Sequence, residues 1–186
     1  PGPVAAPAVA RVDAVPAPTR QLLETMACLG GRVELSLLQA ATGEPADLVD
    51  RLLAPALEEG LLALEPGERP AVRFRHDRIR EAVFRRLDPA ERRELRLAIA
   101  RRLAPVPELF AAAAEQYLPV AAEVDDPAER RDAVGLLRRA AGQAALIGDH
   151  ALVEALLAAA VRLVDPADTG TLVELRTGGH AALFSQ

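Results

Sequence analysis

Apolar positions recur at helical spacing in three runs near the start of the chain. The first run begins at Thr19, which we expect to cap it, and ends at Gly30. A second helix is predicted over 34–41 and a third over 45–59. Pro55 falls inside the third helix, where it removes one backbone hydrogen bond and should produce a kink.

The pattern then changes to alternation in two short segments, LLAL at 61–64 and AVRF at 71–74. A Pro-Gly pair between them marks a turn, so the two segments predict a β-hairpin. A further helix is predicted over 77–87. Three short helices followed by a two-stranded hairpin have the element order of a winged-helix domain, which we expect over 19–87.

Past Asp88 every apolar run has a helical period. Helices are predicted over 89–103, 107–122, 127–147 and 149–164, with another from 168 onwards. The turn at 148–150 is followed by small and apolar residues where a tetratricopeptide-type hairpin packs its helices closely. We therefore expect basic connecting helices over 88–126 and, over 127–186, a tetratricopeptide-like hairpin with a truncated next repeat. Because the last helix is cut short, the solenoid is expected to continue in a parent protein.

Residues 1–18 differ from the rest because they contain five prolines and no amphipathic period. They predict a linker or an extended arm, and a chain that begins with a linker is expected to be part of a larger protein. The predicted fold is mainly α: this linker, a winged-helix domain with a short β-hairpin, and an α-helical tetratricopeptide-like solenoid segment.

Composition agrees with a helical fold and excludes several kinds of site. Aromatic residues make up 3% of the chain, which disfavours a sheet-rich fold. The sequence contains no Lys, so a G-x-x-x-x-G-K-[ST] phosphate-binding loop is impossible within it. Cys28 is the single cysteine, which excludes an intrachain disulfide and fits a reducing, cytoplasmic compartment.

Catalytic and membrane signals are also missing from the sequence. Neither G-x-S-x-G nor H-E-x-x-H occurs, and the three histidines lie too far apart for metal-ligand spacing. We therefore expect no enzymatic activity, metal or bound cofactor in this chain. The apolar runs are too short to span a membrane, and the start lacks the features of a signal peptide, so no membrane partner is expected.

Positive charge is concentrated between residues 73 and 102, where eleven Arg occur with five acidic residues, although the whole chain carries −5. The candidate basic interaction patch consists of Arg75, Arg78, Arg92, Arg93 and Arg96. Arg92 and Arg96 are four residues apart, where like charges repel unless an anionic partner lies between them. The patch is either a solvated face or a contact for an acidic domain surface, a nucleotide phosphate or nucleic acid.

A winged-helix domain raises the question of DNA binding. The charge of the third helix argues against it. Residues 44–59 carry a net charge of −4, and phosphates repel an acidic recognition helix. Direct DNA binding is therefore not expected. Binding through the Arg-rich segment 73–102 stays open as an alternative.

The stretch VRFRHDRIREAV, residues 72–83, joins the predicted hairpin to the helix after it. His76 continues the alternation of Val72 and Phe74, so its ring is expected on the same inward face. Asp77 is expected to cap the helix that follows. One interpretation is a histidine at the edge of the core that is hydrogen-bonded to a backbone carbonyl, and the other is a functional site.

The residues here resemble a known family. Three helices and a hairpin followed by RFRHDRIREAV resemble the winged-helix domain of the STAND signalling ATPases, and more closely that of the bacterial large LuxR-type ATP-binding transcription regulators. PAERRELRLAIARRLA and AAGQAALIGDHALVEALLAAAV look like their Arg-rich helix and tetratricopeptide-like repeats. The resemblance covers about residues 16–186 and is most specific over 72–86, where Arg75 replaces the Met of the family's M-H-D motif.

In that family the histidine contacts the β-phosphate of ADP on the nucleotide-binding domain and holds the inactive state, while the aspartate braces the junction. The resemblance thus implies nucleotide sensing by His76 and Asp77, with ATP or ADP and Mg²⁺ on an upstream ATPase domain outside this chain. It implies a non-catalytic regulatory segment of a transcription regulator, whose repeats would receive an effector protein or a small ligand. A protein–protein interaction scaffold with no nucleotide role is the alternative.

Overall fold

The computed structural model describes residues 6–165, 168–173, 175 and 177. These residues are mainly helical and include one three-stranded antiparallel sheet. The chain divides into two compact units, Pro1–Leu95 and Arg96–Gln186.

The first unit combines helices with the sheet. Its elements are α1 (Ala6–Ala14), α2 (Ala17–Leu29), β1 (Arg32–Glu34), α3 (Leu35–Thr42), α4 (Ala46–Glu58), β2 (Leu62–Glu65), β3 (Ala71–Phe74) and α5 (Asp77–Arg86). Helix α6 (Pro89–Leu103) runs from the first unit into the second. The helices and the hairpin predicted from the sequence are present with slightly different bounds, and α4 continues through Pro55 to Glu58.

The segment predicted to be a linker is structured from Ala6 onwards, so that prediction was wrong for residues 6–18. Val12 of α1 and Val15, directly after the helix, lie in the core, where they are 1% and 2% exposed. The prolines that suggested a linker instead begin α2, with Pro16 at its N-cap and Pro18 in its first turn. Proline is tolerated there because the first helical N–H groups have no partner within the helix.

Strand β1 was not predicted, because three residues are too few to show an alternating pattern. The sheet order is β1-β3-β2, with both pairings antiparallel and Val72 of β3 opposite Val33 and Leu64. Arg32 and Arg73 also lie directly opposite each other. Glu65 offsets their repulsion, since it accepts a hydrogen bond from Arg32 Nε at 2.7 Å and pairs with Arg73 Nε at 2.8 Å.

The Glu65 contacts should make the stability of the first unit depend on pH. The hydrogen bond from Arg32 is the main reason that the pKa of Glu65 lies below its ordinary value of about 4.5. The stabilisation is therefore present above that ordinary value and is lost as the pH falls through the lowered pKa. Glu65→Gln should lower the urea midpoint near neutral pH, and the difference from the native protein should shrink in acid. Glu68→Gln, at an exposed turn position, is the control; an unchanged gap in acid would contradict the assignment.

The core of the first unit is formed by one face of each helix and one face of the sheet. Its buried side chains include Leu22, Leu23, Met26, Val33, Leu38, Val49, Leu53, Leu61, Leu62, Val72, Phe74, Ile79 and Val83. Two polar contacts fasten α5 to this core: Arg80 Nε donates to the Ala27 carbonyl at 3.3 Å, and Arg86 pairs with Asp13 of α1.

The second unit contains α7 (Phe110–Tyr117), α8 (Pro127–Leu146) and α9 (His150–Leu163). The predicted helix over 107–122 is divided into a 3-10 turn (Pro107–Leu109), α7 and a second 3-10 turn (Leu118–Glu123). Pro119, near the start of the second turn, has no N–H to continue the α-helix. Residues 169–173 are helical again.

A polar network fixes the start of α8 in the second unit. Tyr117, 2% exposed, donates its hydroxyl proton to Glu129 at 3.0 Å. Arg101 donates to both oxygens of the same carboxylate, at 2.9 and 3.0 Å. Burial and the neighbouring Glu129 raise the pKa of Tyr117 well above its ordinary value, so the phenol stays protonated as the donor.

Helices α8 and α9, predicted over 127–147 and 149–164, pack against each other. Gly148 in the turn has a φ of +73°, a conformation that glycine adopts without strain. Asp149 then caps α9 by accepting a hydrogen bond from the Leu152 N–H at 3.0 Å.

Candidate functional site

The segment Arg75–Arg78 joins the sheet to α5 at the surface of the first unit. Strand β3 ends at Phe74 and α5 starts at Asp77, so His76 is the N-cap residue, with φ −143° and ψ 141°. All four side chains from 75 to 78 are exposed. The backbone is nevertheless fixed, since the Arg75 N–H donates to the Leu61 carbonyl and the Ile79 N–H donates to the His76 carbonyl.

The position of His76 corrects two predictions. Its ring does not lie on the inward face of the sheet, because β3 ends two residues earlier and the alternation stops with it. Asp77 is the first helical residue and not the cap, and α5 has no side-chain cap hydrogen bond. The Asp77 carboxylate still lies in the first turn, where a negative charge interacts favourably with the helix dipole. The histidine is thus displayed to solvent.

Arg75 supports this junction from the side of the sheet. Its Nε donates to the Leu62 carbonyl of β2 at 3.2 Å, which ties the end of β3 to its neighbour. The Arg11 guanidinium of α1 approaches the same place: a methyl group added at Gly60 would lie 3.0 Å from Arg11 Nη2 and 3.9 Å from Arg75 Nε. Two cationic side chains therefore flank Gly60 beside the junction. Arg11 could not be identified from the sequence, because α1 was predicted to be a linker.

The predicted basic patch is not one set of equivalent exposed cations. Arg75, Arg78 and Arg93 are exposed, whereas Arg92 and Arg96 are half-buried. Arg92 Nε donates to the Leu87 carbonyl at 3.0 Å, and its guanidinium lies 4.9 Å from the centre of the Phe84 ring.

Arg96 belongs to the second unit and has a different role. Its Nη1 donates to Oε1 of Gln116, a side chain that is 2% exposed, at 3.0 Å. The expected repulsion between Arg92 and Arg96 is therefore resolved by contacts within the protein, and neither residue requires an anion between them.

The side of the first unit that a DNA-binding winged helix would use is acidic. Glu44, Asp47, Asp50, Glu58 and Glu59 are all exposed on or beside α4. The basic residue of this helix, Arg51, forms an ion pair with Asp47 at 3.0 Å. Such a surface repels phosphates and suits contact with a basic or neutral protein surface.

One more ionisable group lies near α5. Glu24 of α2 is half-buried, and this burial raises the pKa of its carboxyl group, while Arg86 opposes the shift and Glu91 adds to it. The raised pKa has an ordinary structural cause, and we assign no chemistry to Glu24.

A cleft in the second unit is a further candidate that the sequence did not indicate. It has a volume of about 510 Å³ and lies between α8 and the segment that follows α9. Arg130, Arg131 and Arg138 line it from α8, and Asp165 and Asp168 line it from the other side. Arg130 and Arg138 lie eight residues apart on one helix and so share a face, which the sequence could have indicated. The opposite wall, formed by Leu163–Asp165, Asp168 and Thr171, depends on the fold.

Within the part of the chain that the structure describes, no group of three or more His, Cys, Asp or Glu side chains could hold a metal ion. No helix among these residues is both long and apolar enough to cross a membrane. No protein-family model, curated protein or solved structure matches this chain.

Proposed function

We propose that this chain is a non-catalytic regulatory segment of a larger ATP-dependent signalling regulator, of the kind that its RHD motif resembles. In this proposal the first unit is a winged-helix domain that contacts an upstream nucleotide-binding domain. The helices of the second unit are tetratricopeptide-like and receive an effector, so that effector binding and nucleotide state are coupled.

The element order supports the winged-helix assignment. Strand β1 lies between α2 and α3, and α4 leads into the β2–β3 hairpin. The sheet order β1-β3-β2 brings the first strand beside the last. The acidic surface of α4 supports a contact between domains over a contact with DNA. The partly internal contacts of Arg92 and Arg96 also weaken the alternative of DNA binding through 73–102.

The single observation that carries the nucleotide role is the exposed His76 on a fixed junction. A histidine placed there loses little backbone entropy on binding, because Arg75 and Ile79 hold the chain on either side of it. Its ring N–H can donate a charge-assisted hydrogen bond to a phosphate oxygen of ADP held by the upstream domain. Asp77 and the neighbouring Arg75 and Arg78 would complete the contact surface. A contact made in one domain arrangement and not in the other shifts the balance between them.

The experiment is the affinity for ADP, measured by calorimetry on the longer protein that carries the upstream domain, with and without His76→Ala. Loss of a hydrogen bond to a charged group costs about 1.5–3 kcal/mol. We therefore expect ADP to bind roughly ten to a hundred times more weakly to the variant. His76→Asn, whose side-chain amide can still donate an N–H, should recover part of the affinity.

Because His76 is exposed, neither variant should change the melting temperature, and this serves as the folding control. Equal ADP affinity in the native and His76→Ala proteins would refute the sensor role. The chain would then be better described as a protein–protein interaction scaffold, the alternative that requires no nucleotide.

A further inference from the structure

The cleft of the second unit contains a cationic side chain whose hydrogen-bonding capacity is not satisfied. Arg130 Nε is buried, and no described residue accepts a hydrogen bond from it. A buried donor on a charged group is unfavourable without an acceptor, and most such groups in folded proteins have one. Because Nε itself is closed to solvent, an anion from outside the chain can meet this guanidinium only where Arg130 lines the cleft.

The cleft has the size of a small-molecule site and part of its wall is apolar. Its volume of about 510 Å³ lies within the range of about 300–1,000 Å³ that is usual for such sites. Val134 of α8 and Leu163 and Val164 at the end of α9 supply apolar wall next to the arginines. Gly135, also in the lining, faces open space, since a methyl group added there would meet nothing within 4 Å.

The charges in the cleft favour an anion at the Arg130 end. Arg130, Val134 and Arg138 are spaced by four residues and so share one face of α8, with Arg131 beside Arg130. On the opposite wall, Asp168 accepts a hydrogen bond from the Thr171 N–H at 3.1 Å and keeps its charge, so the three arginines of the lining outnumber its two aspartates by one. Arg138 and Asp165 also make contacts within the protein. This leaves Arg130, supported by Arg131, as the pair available to an external group.

We propose that this cleft binds a small organic anion, a carboxylate or a phosphate monoester with an apolar part. The Arg130 guanidinium donates to the anionic oxygens, Arg131 adds positive charge, and Val134 and Leu163 pack against the apolar part. In the proposed function, this small anion is the effector that the second unit receives. That assignment rests on the proposed function. The binding itself involves no nucleotide.

The test uses the whole chain and three matched probes: 4-phenylbutyrate, phenyl phosphate and the neutral 4-phenylbutanol. NMR spectra of the arginine Nε–H groups follow Arg130 directly, with its signal assigned by its loss in Arg130→Gln. The anionic probes should shift this signal in a saturable way, and the alcohol should not. The tighter of the two anions identifies whether carboxylate or phosphate is preferred.

The affinity for the preferred anion should fall at least tenfold in Arg130→Gln and stay unchanged in Arg139→Gln. Arg139 is the matched control because it lies on the same helix but stacks 4.3 Å from the Phe110 ring centre, outside the cleft lining. No shift of the Arg130 signal with either anion, or an equal shift with the alcohol, would overturn the proposal. If Arg130→Gln does not fold, the shifts in the native protein still decide. Neither result depends on ADP, so failure here is separate from failure of the His76 experiment.

Discussion

Val12→Asp is expected to destabilise the first unit by about 3–5 kcal/mol, the range found when an unpaired charge is left buried. Val12 is 1% exposed on α1 and lies within the core cluster of the unit. An aspartate there has no room to reach solvent unless α1 leaves the core. The measurement is the free energy of unfolding in urea, followed by circular dichroism.

Ala10→Asp is the control for this prediction, because Ala10 is an exposed position of the same helix and receives the same new charge. Its unfolding free energy should stay within about 0.5 kcal/mol of the native value, as is usual for surface substitutions. If Val12→Asp is as stable as Ala10→Asp, then α1 does not belong to the core and residues 1–18 form a linker, as their proline content predicts.

The contrast between α1 and the later helices shows what sequence periodicity can detect. In α4, Val49, Leu53 and Ala56 are buried on one side, and the stripe they form is long enough to show a helical period. The buried side chains Val12, in α1, and Val15, just after it, follow a stretch of Ala and Pro that carries little apolar contrast. The helix therefore depends on packing against α5 and the rest of the core that it covers, and its own sequence shows little of this.

The sheet shows the same limit of prediction from local sequence. The hairpin β2–β3 could be predicted because two alternating segments flank a turn, which is local information. Strand β1 is separated from β3 by about forty residues and has three residues, so its pairing with Val72 depends on tertiary contacts. The Arg32–Glu65–Arg73 cluster follows from that pairing and was equally inaccessible from the sequence.

For the candidate site, the sequence identified the residues but not their orientation. The motif Arg75-His76-Asp77 was found, and it does lie at a strand–helix junction. Its outward orientation depends on where β3 ends, and the continued alternation of Val72, Phe74 and His76 suggested the opposite. The cleft at Arg130 was missed because its opposite wall comes from Leu163–Asp165, Asp168 and Thr171, which lie at the end of α9 and beyond it along the chain.

Leu137→Ala should produce a large loss of stability in the second unit, because it removes a fully buried side chain of α8. Leu137 is 0% exposed, and deletions of this kind cost about 2–5 kcal/mol through lost burial and the cavity that remains. Leu146→Ala is the same substitution on the same helix at a side chain that is 88% exposed, and it should change the unfolding free energy by less than about 0.5 kcal/mol. Urea unfolding of the two variants measures both values. Equal losses would mean that α8 presents a different face to α9, and the cleft that Arg130 and Val134 line on α8 would have to be reassigned with it.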